Sequence, residues 1–404
     1  MKQRFFLIFM CTFTLLMIGS CIEPIELNND QSFKSNIVVR AIITNEFKKH
    51  TVKISKTVPI NATEANPEKN ATVNIIDNNG TTYNFVETSD GIYTSTMEFA
   101  AVTDKEYTLK IKTENGNSYT STPEKLPLVA EIDEIKISVE DNTTENIQEA
   151  VVRVNSKQTN DSGKYYRYEF DETYKIQALF WVNETISIRS NTSPYEFELV
   201  RKDPDIFGDG TCYGNEKSKE ILITETASLN EDQVLGFAIQ KIPIKHFKIG
   251  RRYSILVKQY VVNQNTYNFY ENLKKFSDSN NIFFETQVGN IPNNISSETN
   301  PDDITVGFFE VSSVSSKRVF FNRSEFTNID FEDYTSLLVC EGTRQPRVED
   351  SSGNSPLLKS LEGGWIFLKE PADPSPSNPY ILIRKFCGDC SHLGQPTVPS
   401  FWVE

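Results

Sequence analysis

An all-β fold is what this sequence predicts: a small N-terminal β-sandwich of the immunoglobulin-like or regulatory type, then a larger β-rich domain with one short packed helix. Three observations lead there. Short runs of β-branched and aromatic residues recur along the chain, separated by turn signals. Those signals include Asn79-Gly80, Asp90-Gly91 and Asn115-Gly116, pairs that accept positive φ in tight turns. The chain also carries 27 Phe, 16 Tyr and 3 Trp, bulky rings that sheet cores absorb.

Residues 1–20 read as a signal peptide. Lys2 and Arg4 form a short basic start, and the apolar run from Phe5 to Ile18 is too short to span a bilayer comfortably. Ile18-Gly19-Ser20-Cys21 resembles the lipobox of bacterial lipoproteins. Small side chains there admit a peptidase to the scissile bond. The Cys21 thiol is the one strong nucleophile available to take a diacylglycerol, and a second chain such as palmitate makes attachment stable.

Residues 21–34 are a polar, lipidated tether. A sandwich is then expected over 35–125, with strands at Ile37 to Ile43, Thr51 to Thr57, Ala71 to Ile76, Thr81 to Glu87, Ile92 to Thr94, Tyr107 to Ile111 and Asn117 to Ser121. Pro123 and Pro127 end the regular pattern, since proline obstructs central sheet pairing.

The larger domain is expected over 130–404. Its strands include Glu149 to Val154, Tyr165 to Phe170, Ile221 to Thr226 and Arg251 to Val262. In the last, Tyr253, Ile255 and Val257 share one face and Leu256 and Tyr260 the other, so both faces are covered. A helix is predicted over about 264–277, where Tyr267, Phe269, Tyr270, Leu273 and Phe276 make an apolar stripe and Asn263 stands at the N-cap. Further strands are expected at Ile304 to Val311, Lys317 to Phe321, Trp365 to Leu368 and Ile381 to Arg384. The polar stretch 341–361 reads as a long exposed loop.

The formal charge of −14 argues against nucleic acid and against adhesion to anionic lipid. With Cys11 lost and Cys21 acylated, Cys212, Cys340, Cys387 and Cys390 suit two disulfides in an oxidising envelope, with the connectivity open. Cys387-x-x-Cys390 with His392 falls short of a zinc site, because a second pair is missing. Asp203, Asp205 and Asp209 begin like a calcium loop, but Phe207 and Gly214 stand where oxygen ligands belong, so no metal is assigned. His50, His246 and His392 lie in separate segments, and no Gly-x-Ser-x-Gly elbow accompanies them. No catalytic residue and no cofactor is expected. Phe401-Trp402 reads as a core plug rather than a docking point.

Several segments carry a family likeness: Cys21 with EPIEL, NIVVRAIIT at 36–44, TVKISKT at 51–57 and ATVNIIDNNGTTYNFVET. RRYSILVKQY at 251–260, TYNFYENLKK at 266–275, VGNIPNNI at 288–295, VGFFEVSSVSSKRVFF at 306–321 and CGDCSHLGQPTVPSFW at 387–402 extend it over almost the whole chain. Together they resemble the Bacteroidetes envelope lipoproteins called the domain of unknown function 4249 family. One departure is Asp389-Cys390-Ser391 with Gly394-Gln395, where the family commonly has Asp-Cys-Thr and a Gly-Gly pair. The resemblance implies a non-enzymatic accessory or ligand-binding lipoprotein of the outer membrane, assisting a TonB-dependent β-barrel transporter in uptake. Glu23 and Glu26 after the lipid cysteine resemble that phylum's surface-export signals. The competing readings are a structural or adhesive envelope protein and an extracytoplasmic hydrolase.

Overall fold

The computed structural model describes residues 35–404 except 60–61, 63–65, 158–163, 204–207, 230, 279–291, 327–339 and 341. The signal peptide, Cys21 and the tether lie outside the described residues, as do Asp205 and Phe207.

The chain is mainly β-strand with a few short helices. The first strand, Ile37–Thr44, alternates strictly: Ile37, Val39, Ala41 and Ile43 enter an apolar core while Val38, Arg40 and Ile42 point the other way. It pairs antiparallel with Thr51–Lys56, and hairpins through Thr72–Asp77, Thr82–Ser89, Ile92–Ser95, Glu106–Lys112 and Ser118–Ser121 continue the sheet. The turns follow from their residues. Asp77 Oδ1 accepts from the backbone N–H of Asn79 (3.0 Å) and of Thr81 (2.8 Å), and Gly80 takes φ +84°.

This N-terminal sheet is completed from far along the sequence. Ile295–Ser297 adds an edge strand beside Ser118–Ser121, and Thr305–Ser312 runs parallel to Ile37–Thr44. The strand Thr305–Asn322 then continues without a break, and its second half pairs antiparallel with Arg252–Val261. One strand therefore belongs to both halves of the molecule.

That is a correction, because two strands were expected around Ser312 to Ser316. Buried serines continue the strand by finding acceptors off the ladder. Ser313 Oγ donates to the Leu128 carbonyl (3.0 Å) and Ser315 Oγ to that of Ala130 (2.7 Å). Gly307, at φ +114°, pairs with Val39, and a Cβ there would lie 1.9 Å from the Val39 carbonyl oxygen.

Beyond the shared strand, Tyr165–Gln177 and Arg252–Val261 pair side by side, and a three-stranded sheet of Ile132–Asn142, Ile147–Lys157 and Gln233–Pro243 shares their core. The hairpin Glu184–Ser190/Glu196–Arg201 and the strand Thr211–Lys217 were not marked from the sequence.

The predicted helix forms as Gln264–Asp278. Asn263 donates its amide to Glu124 Oε2 (3.0 Å) and to the Lys125 carbonyl (3.2 Å), tying the helix start to the segment between the prolines. It is one of three α-helices among the described residues, the others being Pro356–Glu362 and Lys385–Gly388. The first of these corrects the expected loop over 341–361. Ser355 caps it by accepting from Leu358 N–H (3.1 Å), Pro356 opens the first turn, and Leu357 is fully buried beside Trp365 and Leu382.

Candidate functional site

A concave site lies where the two halves meet. A cleft of about 400 Å³ opens on the outward face of Ile37–Thr44 and of the shared strand, beneath the helix Gln264–Asp278. Val38 and Ile42 come from the first strand, Phe308 from the shared strand, Leu222 from a neighbouring short strand, and Phe269 and Leu273 from the helix. The helix is seated by ring contacts, Phe269 on Phe308 with centroids 5.4 Å apart and Tyr267 on Tyr165 at 5.1 Å.

The cleft floor holds a buried ion cluster. Arg167 donates to Glu310 Oε1 (2.9 Å) and to Glu169 Oε1 (2.6 Å), with only 5% of its side chain exposed. Its guanidinium stacks over the ring of Tyr260 at 4.1 Å and faces that of Tyr270 at 5.0 Å. Ser312 Oγ (2.6 Å) and Tyr270 OH (2.8 Å) both donate to Glu310, and Tyr260 OH donates to Glu169 (3.1 Å). Burial opposes the charge on Arg167, but Glu310 next to it outweighs that and holds the guanidinium firmly protonated. Glu169 follows the same logic: burial would raise its pKa, and Arg167 brings it below the usual carboxylate range. Both phenols titrate higher than usual, from burial first and then the facing carboxylates.

A second buried carboxylate, Glu172, accepts from Tyr253 OH (2.6 Å), Lys248 Nζ (2.6 Å) and Gln240 Nε2 (3.2 Å). Its oxygens are thereby occupied, and it ties strands together rather than facing a sizeable cavity.

The cysteines pair as Cys212–Cys390 and Cys340–Cys387, with Cα–Cα distances of 5.7 and 5.6 Å. The two members of Cys387-x-x-Cys390 thus bond away from each other, one to the strand Thr211–Lys217 and one to Cys340. Among the described residues no group of three His, Cys, Asp or Glu converges as a metal site. Asp209 accepts from Thr211 N–H within its own turn (3.0 Å).

The histidines stay apart. His50 is buried against Phe99, with Nε2 2.9 Å from the Phe99 carbonyl oxygen, and burial pushes its pKa down to about 4. His246 accepts at Nδ1 from Lys248 N–H (3.2 Å) and caps a single 3-10 turn, and His392 lies edge-on to Phe386. Trp402 packs edge-on against Tyr213 and Phe320, whereas Phe401 remains 38% exposed beneath Arg318. The pair covers a surface rather than plugging a core.

The cleft itself was missed by sequence reasoning. A signal existed in IVVRAIIT: Val38 and Ile42 are apolar on the strand face opposite Val39 and Ala41, so both faces needed cover.

The family described as "Domain of unknown function (DUF4249)" matches residues 22–318, a span that contains the shared strand up to Arg318 and the whole ion cluster. The chain belongs to the DUF4249 family. Membership supports an envelope-associated role. No curated protein matches this DUF4249 chain. Among solved structures, a DUF4785 family protein from Legionella pneumophila subsp. pneumophila is similar at 9% identity, with TM-score 0.17. That likeness covers 50% of this chain and 56% of the Legionella protein, so the chain spans little more than half the length of its relative, and the match is too slight to bear on function. No helix among the described residues of this DUF4249 protein is long and apolar enough to cross a membrane.

Proposed function

We propose that this DUF4249 protein is a non-catalytic accessory or ligand-binding lipoprotein, held in the outer membrane by lipid on Cys21 and displayed outward. In this reading it assists a TonB-dependent β-barrel transporter in uptake. Residues 35–125 serve as an immunoglobulin-like or regulatory sandwich, and 130–404 as a larger domain joined to it through the shared strand. The observation that carries the binding role is the apolar cleft under Gln264–Asp278, whose floor charges Arg167, Glu169 and Glu310 are paired with one another. The isolated histidines support the non-catalytic part, since an acid–base site needs a nucleophile and a base within reach.

Labelling cells with radioactive palmitate tests the anchor. The wild-type chain takes label and fractionates with outer membrane, and Cys21→Ala does neither. A Cys21→Ala chain that keeps the label contradicts the assignment. A knockout with intact uptake but weakened surface attachment favours the structural or adhesive reading, to which the exposed Phe47 (73%) and Met97 (59%) lend some support.

A further inference from the structure

We infer that the cleft beneath Gln264–Asp278 takes an uncharged, mainly apolar small molecule, an aromatic or acyl group seated between Phe269, Leu273 and Phe308. The inference rests on the ligand-binding reading above and names its ligand class.

Charge balance carries the first half of the argument. Three cations, Arg40, Arg167 and Lys219, stand in and under the cleft against three carboxylates, Glu169, Glu220 and Glu310. Arg167 gives its two terminal nitrogens to Glu169 and Glu310, and Arg40 lies 3.9 Å from Glu169. The hydroxyls of Tyr270 and Tyr260 are spent on the same carboxylates. Lys219 and Glu220 stand exposed at the rim with opposite charges, so an ionic ligand meets no net field of opposite sign. To pair with the terminal nitrogens of Arg167 or with Glu310 at the floor, it must break their existing pair and leave a buried charge at its desolvation cost.

The walls carry the second half. Val38, Ile42 and Phe308 lie on a sheet face that would be polar if it met only water. Leu273 is 37% exposed although it lines the cleft, so apolar surface is left for a ligand to cover. The volume of about 400 Å³ falls within the range of roughly 300–1,000 Å³ typical of small-molecule sites.

Titrating the full chain carrying Cys21→Ala, which keeps acyl chains and detergent out of the assay, with N-phenyl-1-naphthylamine tests this directly. The expected result is saturable fluorescence enhancement, weakened at least about tenfold by Leu273→Arg, which puts a charge against the apolar wall. Leu235→Arg, at a position 69% exposed on another sheet, leaves binding unchanged, and circular dichroism confirms that both variants are folded. Naphthylamine binding that survives Leu273→Arg overturns the site. If the anionic 1-anilinonaphthalene-8-sulfonate binds as tightly as the neutral probe, the ligand class falls while the binding-protein reading stands. Failure of both probes overturns the inference, and leaves the accessory reading to co-isolation with a transporter, which it does not affect.

Discussion

Arg167 Nη2 lies 2.9 Å from Glu310 Oε1, joining the strand Tyr165–Gln177 to the strand that both halves of the molecule share. Both side chains are almost fully buried, at 5% and 1% exposure, so each is the other's countercharge inside the fold. Arg167→Met alone is expected to cost about 3–5 kcal/mol, because Glu310 is then buried without its countercharge. The double change Arg167→Met with Glu310→Gln should cost clearly less than the sum of the single changes. Urea unfolding of the four proteins in the cycle measures the coupling, and additive losses would show that the pair is not a unit.

Gly307 should tolerate no side chain. A Cβ there overlaps the Val39 carbonyl oxygen at 1.9 Å, and φ +114° is strained for any L residue. Gly307→Ala is expected to lose more than about 3 kcal/mol and to loosen the junction of the sheets. Hydrogen exchange at the amides of Ile37–Thr44 reports it, and unchanged protection there would refute this.

Acid stability should carry two separable steps. Burial pushes the Asp77 carboxyl up, but Lys105 Nζ at 2.6 Å and the Thr81 N–H outweigh it and hold the pKa at about 2, against an ordinary 3.8. A depressed carboxylate contributes stability above its ordinary pKa and loses it as pH falls toward the folded value, so this part fades between pH 3.8 and about 2. For His50 the folded pKa is about 4 against 6.5, so the unfolded chain takes the proton first and stability falls from pH 6.5 down to about 4. His50→Gln should flatten the upper step and Asp77→Asn the lower one. A stability profile unchanged by both would contradict the account.

The disulfides should be independent of each other. Cys340→Ala with Cys387→Ala removes one bridge and leaves Cys212–Cys390, which closes a sequence separation of 178 residues. Loss of Cys212–Cys390 is expected to cost about 2–5 kcal/mol. Non-reducing peptide mapping of native protein should recover the peptide pairs 212–390 and 340–387. A 387–390 linkage would overturn the pairing.

Much of the N-terminal sheet was legible because Ile37–Thr44 and its neighbours alternate and their turns carry Asn-Gly or Asp-Gly. The helix Gln264–Asp278 was legible from its aromatic stripe. The shared strand was not, because SSVSS looks like a break until Leu128 and Ala130 supply acceptors for its serines. Pro356–Glu362 was hidden in a polar stretch, although Ser355-Pro356 is a helix-start signal. Arg167 and Glu310 look like ordinary alternating strand charges. Only the register between strands 143 residues apart brings them together, and no local pattern encodes that distance.

Affinity isolation of the lipidated protein from detergent-solubilised outer membrane, at native expression, tests the central claim most directly. Mass spectrometry should find a TonB-dependent β-barrel transporter enriched with it in near-stoichiometric amount. Recovery of the lipoprotein alone, with no barrel enriched over a Cys21→Ala control, would contradict its role as a transporter accessory.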